Sequence, residues 1–432
     1  MNFPHLVRDH PQYRFAVEIV VRLRKEGFDA LWAGGCVRDL LLGKTPKDYD
    51  VASTATPEDV IRVFGSRRTV AVGASFGVVM VLGAAKSAGQ VEVATFRSDG
   101  EYLDGRRPSS VRFCRPEEDA RRRDFTINGM FFDPIDETVI DYVGGREDLA
   151  AGIVRAIGDP LARFTEDKLR MLRAVRFTAT YGFALDSATS NAVVTLRREL
   201  IQVSVERIAQ ELRRMLSHAS RSRAFRLLQQ TQLLPEILPE ICHETFDSAW
   251  DDALRLASLE NLTSTQFEPA FALIVRSQLR TGNERKPLVA IESICRRLKF
   301  SNEETECVCW LVSSLPILAD IGNQPLHIRK PLFAAPHFEL LLQMSEAIAA
   351  AESRDASEVT FCRDYIASLN GDELCPPSLV DGQDLIALNV PRGPAFRALL
   401  TTIRNEQLDE ILTTRSEALE RLRELVNAGT VG

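Results

Sequence analysis

The spacing of apolar residues changes along the first part of this 432-residue chain. Over 14–26 they recur three and four residues apart, which predicts an amphipathic helix that ends at Gly27. An apolar run over 28–33 then predicts a strand, which leads into two glycines and a short helix over 37–42. The chain is therefore predicted to begin with alternating helices and strands.

β-branched residues bounded by glycine predict further strands in the same region. A second helix is predicted to begin beside Thr56 and Pro57, a pair typical of a helix start. The polar, glycine-rich segment SDGEYLDGRRPSS, at 98–110, predicts a mobile loop. The further strands are predicted at 69–72, 77–82 and 90–96.

Strand patterns end near Asp159, and amphipathic helices then alternate with short turns to the end of the sequence. This change predicts an α/β head, with a small mixed β-sheet and helices, followed by an elongated all-α neck, body and tail. A chain of this length has room for roughly two to four domains. We place the head at 1–158, the neck at 159–220, the body at 221–335 and the tail at 336–432.

The composition, with 45% hydrophobic and 26% charged residues, is typical of a soluble globular protein. No apolar run is long enough to span a bilayer, and the first residues are too charged for a signal peptide. The eight cysteines form no C-x-x-C pair, which predicts reduced thiols in a cytoplasmic protein and argues against a zinc site.

The net charge of −7 is unevenly distributed along the chain. Residues 1–230 contain 35 Lys and Arg against 30 Asp and Glu, whereas residues 231–432 contain 18 against 30. We therefore expect a polyanion such as RNA to bind the first half, where basic side chains can neutralise its phosphates.

The segment LLLGKTPKDYDVAS, at 40–53, contains two candidate functional motifs. Its G-K-T is not a phosphate-binding P-loop, because that motif requires a glycine five positions before Gly43, where this chain has Arg38. Gly43 instead predicts the end of the preceding short helix, in the left-handed conformation that glycine adopts easily.

The D-Y-D of the same segment predicts a pair of metal ligands. Residues two apart on a strand face the same side, so Asp48 and Asp50 would lie together while Tyr49 and Val51 face the core. Two adjacent carboxylates repel each other unless a cation lies between them. Oxygen ligands of this kind suit Mg²⁺, whose other ligands are often water and substrate phosphates. A lone D-x-D is also common as a solvated acidic turn.

Three other stretches strengthen the metal hypothesis. Gly34 and Gly35 allow close approach of the backbone to a ligand, and the helix that follows offers N–H groups and Arg38 to an anion. Glu92, on an alternating strand, could supply a third carboxylate. The arginines at 121–123 precede an apolar segment and could hold a triphosphate at its rim. Together these features predict nucleotidyl transfer by a two-metal route.

The ordered set of motifs resembles the bacterial class II tRNA nucleotidyltransferase and poly(A) polymerase family, within the polymerase-β-like superfamily. The resemblance is nearly continuous over 30–215 and patchy afterwards. It rests on GGCVRDLLLG, KDYDVA, FGVVMV, VEVATFR, DGRRP, RRDFTINGM, IDYVGGREDL, RFTEDKLRMLRAVRF and VERIAQEL, with a weaker match at DGQDLIALNVPRGPAFRALL.

The resemblance implies an enzyme that builds the CCA end of tRNA from CTP and ATP. It implies Asp48 and Asp50 as ligands of two Mg²⁺ ions, Glu92 as third catalytic carboxylate, and the tRNA acceptor arm and 3′ end as partner. The head would be catalytic, the neck would recognise the base and the tail would contact tRNA. No membrane and no protein partner follow from it. The implied nucleotide-binding residues are Gly34, Gly35, Arg38, Arg123, Asp124, Asn128, Asp167, Arg170, Arg173 and Arg176.

The stretch EDKLRMLRAVRF, at 166–177, predicts a helix that selects the base. Asp167 and Arg170 are three apart, so one helix face would carry both, an acceptor beside a planar donor. Cytosine and adenine match that pair, whereas uracil and guanine reverse the order. In the resembled family this motif has a templating role. The ordinary alternative is a surface ion pair.

Several alternatives remain open from the sequence. An enzyme that adds only the terminal A and a poly(A) polymerase share all of this chemistry, although the acidic second half mildly favours tRNA ends. The segment at 98–110 disfavours an enzyme that adds only CC. A non-catalytic RNA-binding protein and a small-molecule nucleotidyltransferase are more distant alternatives. Gly129, where relatives often have alanine, is expected only to loosen a strand slightly.

Overall fold

A computed structural model of the chain describes residues 9–73, 77–99, 111–242, 248–276, 286–368 and 374–427. The chain divides into two compact units, 1–242 and 243–432. The finer division into head, neck, body and tail stays a prediction within these two units.

The first unit begins with the α/β region. Its helices are α1 (Pro11–Lys25), α2 (Gly35–Leu41), α3 (Pro57–Phe64), α4 (Pro116–Arg121) and α5 (Gly145–Ala151). Its strands are β1 (Ala30–Ala33), β2 (Asp50–Ser53), β3 (Thr69–Gly73), β4 (Val78–Leu82), β5 (Gln90–Thr95), β6 (Arg97–Asp99), β7 (Val111–Phe113), β8 (Phe131–Asp133), β9 (Thr138–Ile140) and β10 (Ile153–Val154).

Seven of these strands form one mixed sheet in the order β3-β4-β5-β2-β1-β8-β9. β2 and β5 run parallel, and this pairing sets Asp50 opposite Glu92. The other neighbours in the sheet are antiparallel. β6 and β7 form a separate antiparallel pair. Of the segment 98–110, which was predicted to be a mobile loop, only 98 and 99 are described, and both belong to β6. Residues 100–110 lie outside the described residues.

Alternating burial positions the carboxylates on this sheet. Val91 and Val93 are buried while Glu92 between them is exposed. Tyr49 and Val51 are buried in the same way on either side of the exposed Asp50. The alternation of burial predicted for both segments is confirmed, although β2 begins only at Asp50 and Asp48 precedes the strand on which it was predicted to lie.

The first unit continues with helices that pack on one another. α6 (Pro160–Glu166) and α7 (Leu169–Tyr181) are followed by a two-residue strand, β11 (Ala184–Leu185), parallel to β10. The last helices of the unit are α8 (Ser187–Leu196), α9 (Val205–Leu216), α10 (Arg221–Gln230) and α11 (Leu234–Ile237), and α7 packs against both α9 and α10.

Several predictions about local structure are confirmed and three are wrong. Thr56 and Asp59 form a capping box at the start of α3, and Gly43 adopts φ +70° after α2. The single helix predicted over 166–177 is wrong, because the chain is extended at Asp167 and α7 begins at Leu169. A strand does occur after Asp159, because β10 offers an edge with which 184–185 can pair.

Gly129 is the third correction. It follows a 3-10 turn over 126–128 and does not lie in a strand. A Cβ there would lie 2.7 Å from Val143 Cγ2 and 3.0 Å from Ile157 Cδ1, so close packing favours glycine at this position. The residue has a packing role that the sequence pattern does not reveal.

The described part of the second unit consists of helices. They are α12 (Ser248–Asn261), α13 (Phe267–Val275), α14 (Lys286–Arg297), α15 (Asn302–Ala319), α16 (Leu326–Phe333), α17 (Phe338–Ala351), α18 (Ser357–Ser368), α19 (Gly382–Ala387), α20 (Pro394–Leu408) and α21 (Arg415–Asn427). The last three enclose a small apolar core that includes Leu385, Leu399 and Leu422. Among all the helices described, none has the length and apolar character that crossing a membrane requires.

Candidate active site

A polar cleft of about 640 Å³ lies on the first unit, between the sheet and α7. The start of α2, the start of β2, the segment 122–128 and the face of α7 each contribute to its walls. It is lined by Gly34, Gly35, Arg38, Asp48, Asp50, Arg122, Arg123, Asp124, Asn128, Asp167, Leu169, Arg170, Arg173, Arg176, Phe177 and Arg207. Segments far apart in sequence thus converge on one place, and they include all predicted site residues except Glu92.

One wall of the cleft carries the carboxylates. Asp48 and Asp50 are both exposed to it, and Glu92 lies on the neighbouring parallel strand beside Asp50. Burial among protein atoms and the like charges of Glu92 and Asp48 raise the pKa of Asp50 to about 6, although Arg123 opposes the shift. A carboxylate destabilised by its like-charged neighbours is a suitable ligand for a divalent cation.

The donor set also fits Mg²⁺ in its chemistry. Within the described ranges, no three His, Cys, Asp or Glu side chains are grouped to hold a metal ion by themselves. Two carboxylates that leave other positions to water and to substrate phosphates are the usual way in which proteins bind Mg²⁺. The residues present are therefore compatible with the ion.

The glycine turn brings an arginine close to the backbone. Gly34 adopts φ +73° as the N-cap of α2, and a Cβ there would lie 2.9 Å from Arg123 Nη1. Glycine is therefore required both for the backbone conformation and for the approach of the guanidinium. This arrangement places a positive charge beside the first N–H groups of α2, as binding of an anion requires.

A second wall is made of arginines held by buried carboxylates. Asp119, which is 1% exposed, accepts hydrogen bonds from Arg122 at 2.7 Å and Arg123 at 2.9 Å. Burial alone would raise the pKa of Asp119, but the two arginines outweigh it and lower that pKa. Asp119 was missed by the sequence analysis, although its spacing of three and four residues from two arginines is a usable signal.

Asp124 is a second buried carboxylate that accepts hydrogen bonds from side chains at the cleft. Its Oδ1 accepts from Asn128 Nδ2 at 3.0 Å, and its Oδ2 accepts from Arg173 Nε at 2.8 Å. Burial alone would raise its pKa, but Arg173 and the hydrogen bonds lower it to about 2. Arg38 donates to the Oδ1 of Asn128, so one continuous network joins α2 to α7. Asp124 thus holds Arg173 and Asn128 in place at the cleft.

Asp167 and Arg170 both reach the cleft, although they do not share a helix. The Oδ1 of Asp167 accepts the N–H of Leu169 at 3.1 Å and thereby caps α7. Arg207 donates to both oxygens of Asp167, at 3.2 and 2.8 Å. Arg170 is 7% exposed and donates to Glu166 at 2.6 Å and to two backbone carbonyls, those of Arg163 and Arg122. Arg207 was not singled out from the sequence, since it lies 40 residues from Asp167.

The last predicted residue, Arg176, is also held by a buried carboxylate. Its Nε donates to Glu211 at 2.6 Å, and Glu211 is 1% exposed. The guanidinium lies 4.2 Å from the centre of the Phe177 ring, against which Arg38 and Arg173 also lie. Phe177, unmentioned by the sequence analysis, is therefore the apolar surface on which three arginines stack.

Two known protein families match parts of the first unit. Residues 30–155 match the family described as poly A polymerase head domain. Residues 182–244 match the family described as probable RNA and SrmB-binding site of polymerase A. The first match contains the carboxylate wall and the arginines at 122–123.

Individual relatives extend the match over the rest of the chain. The CCA-adding enzyme of Geobacillus stearothermophilus is 44% identical over 52% of this chain, and the matched part spans about half (54%) of that relative's length. The CCA-adding enzyme of Lacticaseibacillus paracasei is 39% identical over 403 residues, which cover 91% of each chain.

A solved structure of similar fold supports the same assignment. The crystal structure of Bacillus stearothermophilus CCA-adding enzyme in complex with CTP is 30% identical, with a TM-score of 0.73 over 97% of this chain and 99% of the other. The match to the head-domain family, the sequence match over 91% of the chain and the similar fold agree with one another. The protein therefore belongs to the CCA-adding enzyme family, with a poly(A) polymerase head domain.

Proposed function

We propose that this protein is a template-independent RNA 3′-nucleotidyltransferase that adds C, C and A to tRNA from CTP and ATP. The observation that carries the proposal is the cleft itself, which Asp48 and Asp50 line together with Asp167 and a set of arginines that includes Arg170. The near full-length match to a CCA-adding enzyme supports the choice of tRNA as substrate.

The carboxylate wall would bind the metal ions. Asp48 and Asp50 would hold Mg²⁺, and Glu92 would supply the third carboxylate beside them. When bound, such ions lower the pKa of an attacking hydroxyl and stabilise a leaving pyrophosphate. The protein's own part is to hold the triphosphate against Arg38 and Arg123, which neutralise its charge, and to hold the carboxylates in place beside it.

The base would be selected by Asp167 and Arg170. The contacts of Asp167 occupy both acceptor positions of Oδ1 and one position of Oδ2. The second position of Oδ2 is left for the exocyclic amine that cytosine and adenine both carry. Arg170 likewise keeps Nε–H and one Nη2–H beyond its contacts within the described residues. These can donate to N3 of cytosine or N1 of adenine.

Arg207 makes this pair rigid. Its bidentate ion pair fixes the plane of the Asp167 carboxylate, so that the vacant acceptor position has one direction. Uracil and guanine would set a carbonyl against this carboxylate and an N–H against Arg170. Each buried polar group left unpaired costs about 1–3 kcal/mol, enough to reject both bases.

The decisive experiment supplies three tRNA substrates that lack CCA, lack CA or lack only the final A. Each is incubated with Mg²⁺ and CTP, with ATP, and with both nucleotides. We expect CTP to add two residues to the first substrate, and ATP to act only on RNA that ends in CC. Incorporation of ATP alone, confined to the substrate that lacks A, would replace the proposal with an A-adding enzyme. Long ATP tracts on any RNA would replace it with a poly(A) polymerase.

Cytoplasmic localisation is part of the same proposal. None of the eight cysteines forms a disulfide, and burial raises the pKa of Cys36 and Cys307 to about 12. Cysteines that do not form disulfides are typical of a reducing compartment.

A further inference from the structure

A basic cluster on the first unit has no role in the chemistry described so far. It consists of Lys44 and Lys47, which lie between α2 and β2, of His218, which lies between α9 and α10, and of Arg221, the first residue of α10. Both lysines are exposed. We call these four residues the basic cluster.

The basic cluster borders the nucleotide cleft. Lys44 Nζ lies 5.0 Å from the centre of the Tyr181 ring, and the guanidinium of Arg38 lies 4.4 Å from the same centre. Arg38 also lines the cleft. Tyr181 therefore separates a cation of the cleft from a cation of the cluster.

Arg221 is the unusual member of the basic cluster. It is 2% exposed, its Nε donates to the carbonyl oxygen of His218 at 3.1 Å, and its buried Nη1 has no hydrogen-bond partner in the part of the chain that the structure describes. Burial lowers the pKa of Arg221, and no carboxylate offsets that effect. A buried cation without a counter-charge is unfavourable, so an anion from outside the chain would stabilise it.

His218 is exposed and can donate a hydrogen bond to an anion. Its Nδ1 lies 2.8 Å from Ser220 Oγ and accepts the N–H of Ser220 at 3.2 Å, so in the neutral ring Nε2 carries the proton. Partial burial and the charges of Lys44, Lys47 and Arg221 lower the pKa of His218.

The start of α10 adds to the same field. This ten-residue helix begins at Arg221, and its N-cap Ser220 makes no side-chain capping bond. The N-terminus of a helix carries a partial positive charge and favours anions. Arg223, in the first turn of α10, donates to the carbonyl oxygen of Phe183, so the start of α10 lies near Tyr181, the ring that Lys44 contacts.

We propose that the basic cluster binds a backbone phosphate of the RNA substrate next to the nucleotide cleft. This inference rests on the proposed function, because it takes RNA to be the substrate. The triphosphate is the weaker candidate for occupant, since Arg38 and Arg123 already serve it. The seven residues of α2, about 10 Å of helix, separate Gly35 at the cleft from the end at which Lys44 lies. RNA carries phosphates beyond its 3′ end and can reach both places.

The test measures the affinity for tRNA that lacks CCA as a function of salt concentration. The double variant Lys44→Ala/Lys47→Ala is compared with the control Lys25→Ala/Lys86→Ala, which removes two exposed lysines of the same unit outside the cluster. Loss of one phosphate contact lowers the slope of log K against log salt by about 1, so we expect a fall of about 1 in the cluster variant and none in the control. The affinity for CTP with Mg²⁺ should stay unchanged in both.

Arg221→Met supplies a second, independent readout. Because the guanidinium has no carboxylate partner, an apolar side chain of similar length should leave the Tm unchanged or raise it. We expect the same substitution to weaken binding of tRNA, because a buried charge still attracts a phosphate that is bound at the surface beside it. An unchanged affinity for tRNA would contradict the inference, whether the Tm falls, as for a purely structural arginine, or stays unchanged.

The outcomes also separate this inference from the proposed function. An unchanged salt slope in Lys44→Ala/Lys47→Ala would overturn the inference. A loss of CTP affinity with an unchanged slope for tRNA would overturn it too, by assigning the cluster to the triphosphate. A wild-type protein that binds tRNA but adds no nucleotide would refute the proposed function, whereas the cluster is judged by binding alone.

Discussion

The two walls of the cleft use aspartate in opposite ways. On the sheet side, Asp50 is exposed to the cleft, lies among like charges and has its pKa raised to about 6. On the arginine side, Asp124 is buried, is saturated with donors and has its pKa lowered to about 2. The first carboxylate is destabilised by burial and by like charges, which a bound cation would offset, whereas the second is stabilised by its partners. Position relative to arginine, more than the residue type, decides the difference.

The largest effect should come from the sheet side. We expect Asp50→Asn to reduce CCA addition by on the order of 10³-fold, because the stabilisation that a metal ion gives the transition state is worth several kcal/mol. The same substitution removes like-charge repulsion and should not lower the free energy of unfolding. Steady-state incorporation assays and urea unfolding measure the two effects. A variant that remains active would show that the metal site is misplaced.

Asp124→Asn should give the reverse pattern in stability. Removing one partner of a buried ion pair leaves Arg173 without its counter-charge, which we expect to lower the free energy of unfolding by about 3 kcal/mol. Urea unfolding with Asp48→Asn as matched control tests this, since both variants remove one carboxylate charge from the same cleft. Equal free energies of unfolding in the two variants would show that the aspartates of the two walls do not differ in their contribution to stability.

Asp167→Ala probes a carboxylate that belongs to both classes, because it is paired with Arg207 and still has an acceptor position to offer. We expect the ratio of CTP to UTP incorporation to fall by about a hundredfold, the value of roughly two unpaired polar groups. Competition assays with both nucleotides measure the ratio. Unchanged discrimination would exclude Asp167 from base selection.

The smallest effect concerns acid stability. A carboxyl whose pKa is lowered on folding contributes stability above its unfolded pKa, near 3.9, and this contribution is lost as the pH falls toward its folded pKa, about 2 for Asp124. We expect the wild type to lose about 2 kcal/mol from this group between roughly pH 5 and pH 2. Asp124→Asn should lack this part of the loss, and parallel pH profiles of unfolding in the two proteins would contradict the expectation.

The sequence predicts the sheet side of the site well, because its signals are local. Alternation around Tyr49, the turn at Gly34 and the capping residues of α3 each depend on a few consecutive positions. The resemblance of the motifs to a known family also predicts that those segments contribute to one site. Both sources predict Asp48 and Asp50 as neighbouring carboxylates, and both residues line the cleft.

The arginine side is predicted less well, because its contacts are long-range. Arg207 meets Asp167 across 40 residues, and Asp124 meets Arg173 across 49. The spacing of apolar residues also fails to reveal the break in the helix at Asp167, because Leu169 and Leu172, which follow the break, still have helical spacing. A side chain that caps the next helix overrides the spacing that predicted one continuous helix.

The parallel pairing of β2 and β5 has a consequence for how the protein comes into being. Antiparallel neighbours can be joined by a tight turn, but this pair requires α3, β3 and β4 to be completed before Asp50 and Glu92 can stand side by side. Contacts between distant segments form slowly, since the intervening chain must first lose its freedom. A nascent chain that ends before Gln90 would carry the D-Y-D without Glu92, so synthesis must extend through β5 before the two acidic segments can pair.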